Sequence, residues 1–298
     1  MRGRKHEGGP SFPTSYLVVL FALSYLWQGI IYFTGGVESV LFPFMMLFPG
    51  IVAVVFMIKR RDTFRNVGWG LRRWWYVLPV VIVPLAVTLG VGAVVTGLNW
   101  ASWSGTHFIV REGMVEIQGV PMVLGAHTQS IAFFALNLSL SLLAQSMIGS
   151  LVTFGEELGW RGYVQKKMVR SFGLNRGLIL LGMIWGYWHL PIILMGYNFP
   201  NHPVLGAFVL MPVSTTFMGV FLGWLYIRSR SIWIPTLAHA SMNLSAVLLF
   251  TEVTMHHDEL FRQVMFIAAW GIVAVPCLIS LNRRAPVPWS VAPREETT

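Results

Sequence analysis

Gly155-Glu156-Glu157-Leu158-Gly159-Trp160-Arg161-Gly162-Tyr163 closes an apolar run that begins near residue 129. A run of that length can cross a bilayer, since about 20 apolar residues span a hydrocarbon core about 30 Å thick. It therefore brings two carboxylates and a guanidinium to a membrane span, where ionisable groups are costly and mark function by default. Read this way, the stretch makes the chain a membrane protein with a site inside it.

Working outward, seven further apolar segments have similar length. The eight lie at about 15–34, 37–58, 75–97, 129–153, 177–197, 204–227, 232–251 and 261–281. The expected fold is all-α, a polytopic integral membrane helix bundle of eight transmembrane helices. It forms one domain over residues 1–298, with its motif-bearing core at about 129–251. Composition agrees: 55% of residues are hydrophobic, 11% are charged, and the mean hydropathy is +0.64, far from a soluble average. Residues 16–33 are too long for a signal-peptide core and lack a small-residue cleavage site, so they read as the first span. The single cysteine, Cys277, excludes a disulfide framework and a thiolate-rich metal site. From Arg284 onward the polar, proline-rich tail reads as disordered.

Charge placement gives an orientation. With the N-terminus inside and eight alternating spans, 19 of the 21 lysines and arginines fall on the cytoplasmic side. Only Arg111 and Arg262 fall on the other, a strong positive-inside bias that also puts the C-terminus inside. The net charge of +9 therefore reports topology and contact with anionic membrane lipids, not nucleic acid. The basic, aromatic stretch 59–75 reads as an interfacial hairpin. The outer loop 98–128 is expected to lie partly in the interface. Gly182/Gly186 and Gly219/Gly223 read as close helix-packing positions, and prolines 43, 49, 84 and 212 as kinks.

Two more spans carry chemistry. One contains Trp185-Gly186-Tyr187-Trp188-His189-Leu190-Pro191, the other His239-Ala240-Ser241-Met242-Asn243. Every other histidine falls in a loop or the N-terminal segment. On a helix Glu157 and Arg161 are i,i+4 neighbours able to pair. Glu156 is turned about 100° away and can face a different cavity. His239 and Asn243, also four apart, share a face. A carboxylate and an imidazole can hold and deprotonate water, directly or through a divalent metal, and a second polar pair can steady an oxyanion. On the residues alone a proton-coupled transporter stays open, with Gln28 and Gln145 as stepping stones, as does a non-catalytic immunity protein.

The three segments resemble the CPBP family of intramembrane proteases, which includes CAAX prenyl endopeptidases and Abi-type bacteriocin-processing proteins. The family motifs EExxxR, FxxxH and HxxxN/D appear as Glu156-Glu157-x-x-x-Arg161, Trp185-x-x-x-His189 and His239-x-x-x-Asn243. Trp185 stands where phenylalanine is usual. The form of the motifs looks like the prokaryotic Abi-type branch, implying a multi-pass protein of a prokaryotic cell membrane. The resemblance implies an endopeptidase acting near the cytoplasmic face on a peptide or protein, with CAAX-type lipid-modified proteins and leader peptides as candidate substrates. Glu156 would be the general base and His189 its partner on the attacking water. His239 and Asn243 would form the oxyanion site, with Glu157 and Arg161 in support. Glu156, His189 and His239 would also suffice for zinc, so the expected cofactor is zinc, making the enzyme a metalloprotease, or none.

Overall fold

A computed structural model describes residues 12–60, 64–71, 73–125 and 127–283. The expected disordered tail from Arg284, the first eleven residues, and Arg61 and Arg72 of the basic hairpin lie outside the described residues.

Helix α1 (Thr14–Phe33) leads through short 3-10 turns into α2 (Phe48–Arg60), and α3 (Val77–Gly97) follows. Four short strands come next, β1 (Ala101–Trp103), β2 (Phe108–Arg111), β3 (Met114–Ile117) and β4 (Thr128–Ser130). Helix α4 (Ile131–Glu157) continues through a π-helical turn, Leu158–Val164, into α5 (Gln165–Phe172). Then come α6 (Leu174–Trp188), α7 (Leu190–Leu194) and α8 (Pro203–Leu205), followed by a second π-turn at Gly206–Leu210. Helices α9 (Met211–Ser229) and α10 (Trp233–Glu252), strand β5 (Val253–Met255) and α11 (Leu260–Asn282) complete the order.

Among the described residues seven helical segments are long and apolar enough to cross a membrane. The chain is a multi-pass helical membrane protein. The difference from eight lies at 177–197, where the expected single helix is two pieces, α6 and α7. Pro191 has no N–H to continue the ladder, and the His189 N–H turns back to the Gly186 carbonyl in a tighter turn (3.0 Å). Gln28 of α1 closes the gap. Its Nε2 donates to the Trp188 carbonyl (3.1 Å) and its Oε1 accepts from the Ile192 N–H (3.0 Å). In lipid such groups cannot stay unpaired, so the buried Gln28 is what makes a break at this depth tolerable.

A second correction concerns the opening motif. The fourth span does not end near 153. The helix runs on past the glutamates, and every residue of the π-turn is buried. Close approach of the 46–50 segment explains why: a Cβ on Gly155 would lie 2.5 Å from the Met46 carbonyl oxygen, and one on Gly159 2.5 Å from Pro49 Cβ. The glutamates are thus walled in by backbone. The α6–α9 contact has the same character. A Cβ on Gly182 would meet Thr216 Cα, and one on Gly186 Pro212 Cα, each at 2.4 Å.

Loops sort to two ends of the bundle. At one end Arg73 Nη1 donates to the Arg228 carbonyl (2.7 Å), the Ile232 N–H bonds the Gly68 carbonyl (2.9 Å), and Lys166 reaches the Asn66 carbonyl. At the other, β1 pairs antiparallel with β5, and β2, β3 and β4 form a small antiparallel sheet. The 98–128 loop thus carries strands β1, β2 and β3 and leads into β4. Phe108, Val115 and Ile117 pack against Phe134 and Leu248, and Glu252 Oε1 accepts from the His107 N–H (2.9 Å).

Candidate active site

Glu156, His189, His239 and Asn243 line one cavity of about 500 Å³. Glu156 comes from the last turn of α4, His189 from the α6/α7 break, and His239 and Asn243 from one face of α10. The first three are 1%, 8% and 4% exposed, so the cavity is their access to water. Asn243 is exposed.

Glu157 does not line the cavity; it organises what does. Its Oε1 accepts from Arg161 Nη1 and meets His239 Nδ1, both at 2.9 Å. The expected pair with Arg161 is present. The link to His239, 82 positions away, was not readable from spacing. A carboxylate paired to Arg161 accepts rather than donates, so Nδ1 of His239 carries the proton and Nε2 is left for the cavity. His189 is fixed similarly. Its Nδ1 lies 2.9 Å from the Trp185 carbonyl, which can only accept, so the Nε2 of a neutral ring keeps a lone pair.

Trp185 is the functional residue that sequence reading passed over as one aromatic in place of another. Its indole Nε1 donates to Glu156 Oε2 at 2.6 Å. The Arg161 guanidinium carbon sits 4.6 Å from the centre of its ring, and the His239 ring packs edge-on at 5.2 Å. One side chain thus touches members of all three motifs. The available signal was the indole N–H, which phenylalanine lacks.

With both Nδ1 atoms committed within the protein, the histidines share the cavity with Glu156 as separate wall groups. Among the described residues no three His, Cys, Asp or Glu side chains gather as a metal-holding cluster. The chemistry below uses side chains alone. Gln28 and Gln145 are also placed: Gln28 seals the α6/α7 break, and Gln145 donates to the Pro121 carbonyl at 3.4 Å. Neither continues a relay from Glu156.

The remaining cavity wall is mostly apolar, with Phe42, Met45, Met211, Met242 and Phe266 among its residues. Its far end is polar. Asn198, Thr251, Glu259, Arg262 and Gln263 lie there, and Gln263 Nε2 donates to the Asn198 carbonyl (2.7 Å). Nearby, His202 Nε2 meets Asp258 Oδ2 at 2.7 Å. The Leu260 N–H, and then His202, hold the Asp258 carboxyl below its ordinary range.

Residues 136–245 match the family described as type II CAAX prenyl endopeptidase, Rce1-like. This core is similar to that family over 110 residues. It contains all three motifs. A similar protein is the CAAX prenyl protease 2 of Methanococcus maripaludis, 30% identical over 126 residues. The match takes in 40% of this chain and 44% of the relative, so the chain spans under half the length of that curated protein.

Proposed function

We propose that the protein is an intramembrane endopeptidase in which Glu156 and His189 activate water for attack on a peptide carbonyl. The observation that carries this reading is the convergence of Glu156, His189, His239 and Asn243 on one cavity wall. Trp185 occupies Glu156 Oε2, leaving Oε1 to take a proton from water, while His189 Nε2 accepts the water's other hydrogen. The hydroxide adds to the carbonyl carbon. His239 and Asn243 face the oxygen on which negative charge develops, where fixed donors in a water-poor site act most strongly. Asn243 supplies N–H donors in any state. His239 can donate from Nε2 as an imidazolium, with Glu157 as its counter-ion. Collapse breaks the C–N bond, and the proton held by Glu156 passes to the leaving amine. Water is consumed, and an acid and an amine are formed.

The proposed substrate is a peptide or protein of the CAAX or leader-peptide kind, and the proposed setting is a prokaryotic cell membrane. The Abi-type branch is proposed on motif form alone. A transporter reading loses its stepping stones with Gln28 and Gln145 otherwise engaged. The test compares protein termini in membranes from cells expressing wild type or Glu156→Gln. Termini present only with wild type support the peptidase. Identical profiles from folded, abundant proteins overturn it.

A further inference from the structure

Helix α11 carries a charge that the reaction does not use. Arg262, the third residue of a membrane-spanning helix, is 2% exposed, and a charged side chain at such a place marks function by default. Among the described residues lining the cavity it is the one lysine or arginine. Its guanidinium carbon lies 4.4 Å from the centre of the Phe250 ring, and Nη1 donates to the Val253 carbonyl. Those two contacts fix the plane of the group and leave one edge unused. Nη2 has only Glu259 Oε2 at 3.4 Å, on a side chain 43% exposed, and Nε has no partner among the described residues. Nε–H and Nη2–H point the same way, and together they make the fork that takes a carboxylate through two bonds.

The neighbouring acids do not fill that fork. Asp258 is held by His202 Nε2 (2.7 Å) and the Leu260 N–H (2.8 Å), and Glu252 Oε1 by the His107 N–H (2.9 Å). Glu259 is the competitor, at a distance longer than a good charge-assisted bond. The cavity thus has a carboxylate, Glu156, at one end and a half-engaged guanidinium at the other. Phe250, level with Arg262, stands seven positions beyond Asn243 and 11 beyond His239 on α10, roughly 10 to 17 Å along the axis. An extended chain covers that distance in about three to five residues. Ala246, Val247 and Ile267 line the way between, so the site favours apolar residues there.

We infer that Arg262 is a specificity-determining residue that holds a carboxylate of the substrate, about three to five residues from the scissile bond. This rests on the peptidase reading and adds the chemistry that its substrate must carry. Two sources share that chemistry: the free C-terminus of a protein trimmed at its end, and an Asp or Glu side chain in a protein cut internally. The two charges also give the bound chain a direction. Glu156 repels the anion that Arg262 attracts, so the anionic group settles at Arg262 and leaves the scissile carbonyl to Glu156. Binding displaces Glu259 from Nη2, and its side chain turns to water.

The test measures binding of N-dansyl tetrapeptides to the full chain carrying Glu156→Gln, so that nothing is cut. The probes are Ala-Val-Ile-Leu as its free acid, the same peptide as its C-terminal amide, and Ala-Val-Ile-Glu amide, whose one carboxylate is on a side chain. At least one of the two acids should bind about 10- to 100-fold more tightly than the leucine amide, and whichever does so names the source. Arg262→Gln should remove that advantage while leaving the affinity of the leucine amide unchanged, which also checks the fold. Arg262→Lys keeps the charge without the fork and should forfeit most of it. Glu259→Gln should strengthen acid binding several-fold. Equal affinities for all three probes with Arg262 in place overturn the inference, and so does an advantage that survives either substitution in full. Binding needs no turnover, so failure of the peptidase reading appears separately, as termini indifferent to Glu156→Gln.

Discussion

The indole Nε1 of Trp185 lies 2.6 Å from Oε2 of Glu156, so the aromatic position of the second motif holds the carboxylate of the first. A hydrogen bond to a charged partner contributes about 1.5–3 kcal/mol. Trp185→Phe keeps a large ring and removes the donor. We expect kcat to fall about 10- to 100-fold, with a displaced pH–rate profile and a folded protein. An unchanged kcat and profile would show that Glu156 needs no such anchor.

Glu157 carries both Arg161 and His239 on one oxygen. Removing that charge strands a buried guanidinium, a change that costs about 3–5 kcal/mol. Glu157→Gln should therefore lower thermal stability in detergent. A Glu157→Leu/Arg161→Met double variant should recover much of the fold without recovering activity, because His239 has lost its anchor. Full activity in the double variant would contradict this role.

His239→Ala should reduce kcat by about 10²–10³ if the ring serves the oxyanion. A rise in KM alone, at constant kcat, would make it a substrate-binding group instead.

Chelation addresses the metal. With hydrolysis carried by side chains, exhaustive chelator treatment and dialysis should leave the rate of cleavage unchanged. Loss of activity restored specifically by zinc would instead place an ion among Glu156, His189 and His239.

Gln28→Leu should destabilise the protein by roughly 1–3 kcal/mol for each unpaired backbone group at the break, and lower cleavage by displacing His189. A stable, fully active Gln28→Leu variant would show that the break closes without it.

Much of this was legible in the chain. The helical class follows from the length of the apolar runs, and the Glu157–Arg161 pair from i,i+4 spacing. The shared face of His239 and Asn243 came from the same rule. Two things were hidden for a physical reason. Hydropathy averages over a window, so it could not register a break at His189 that one proline imposes and a distant glutamine satisfies. Nor could it end the fourth helix correctly, since burial of the Leu158–Val164 turn depends on where residues 46–50 pack. The links from Trp185 to Glu156 and from Glu157 to His239 join separate helices, and no local periodicity encodes such contacts.

Gln28 and its Trp188 partner are 160 residues apart, which sets an order of manufacture. At roughly 5–20 residues per second the ribosome needs about 8–30 s to cover that distance. Throughout that interval the first span must wait close to where later segments leave the insertion machinery. The α6–α7 pair arrives with a carbonyl and an amide that only this early helix can satisfy. Helix α1 is thus an assembly factor built into its own client, and His189 becomes habitable in lipid only once that earlier helix has docked.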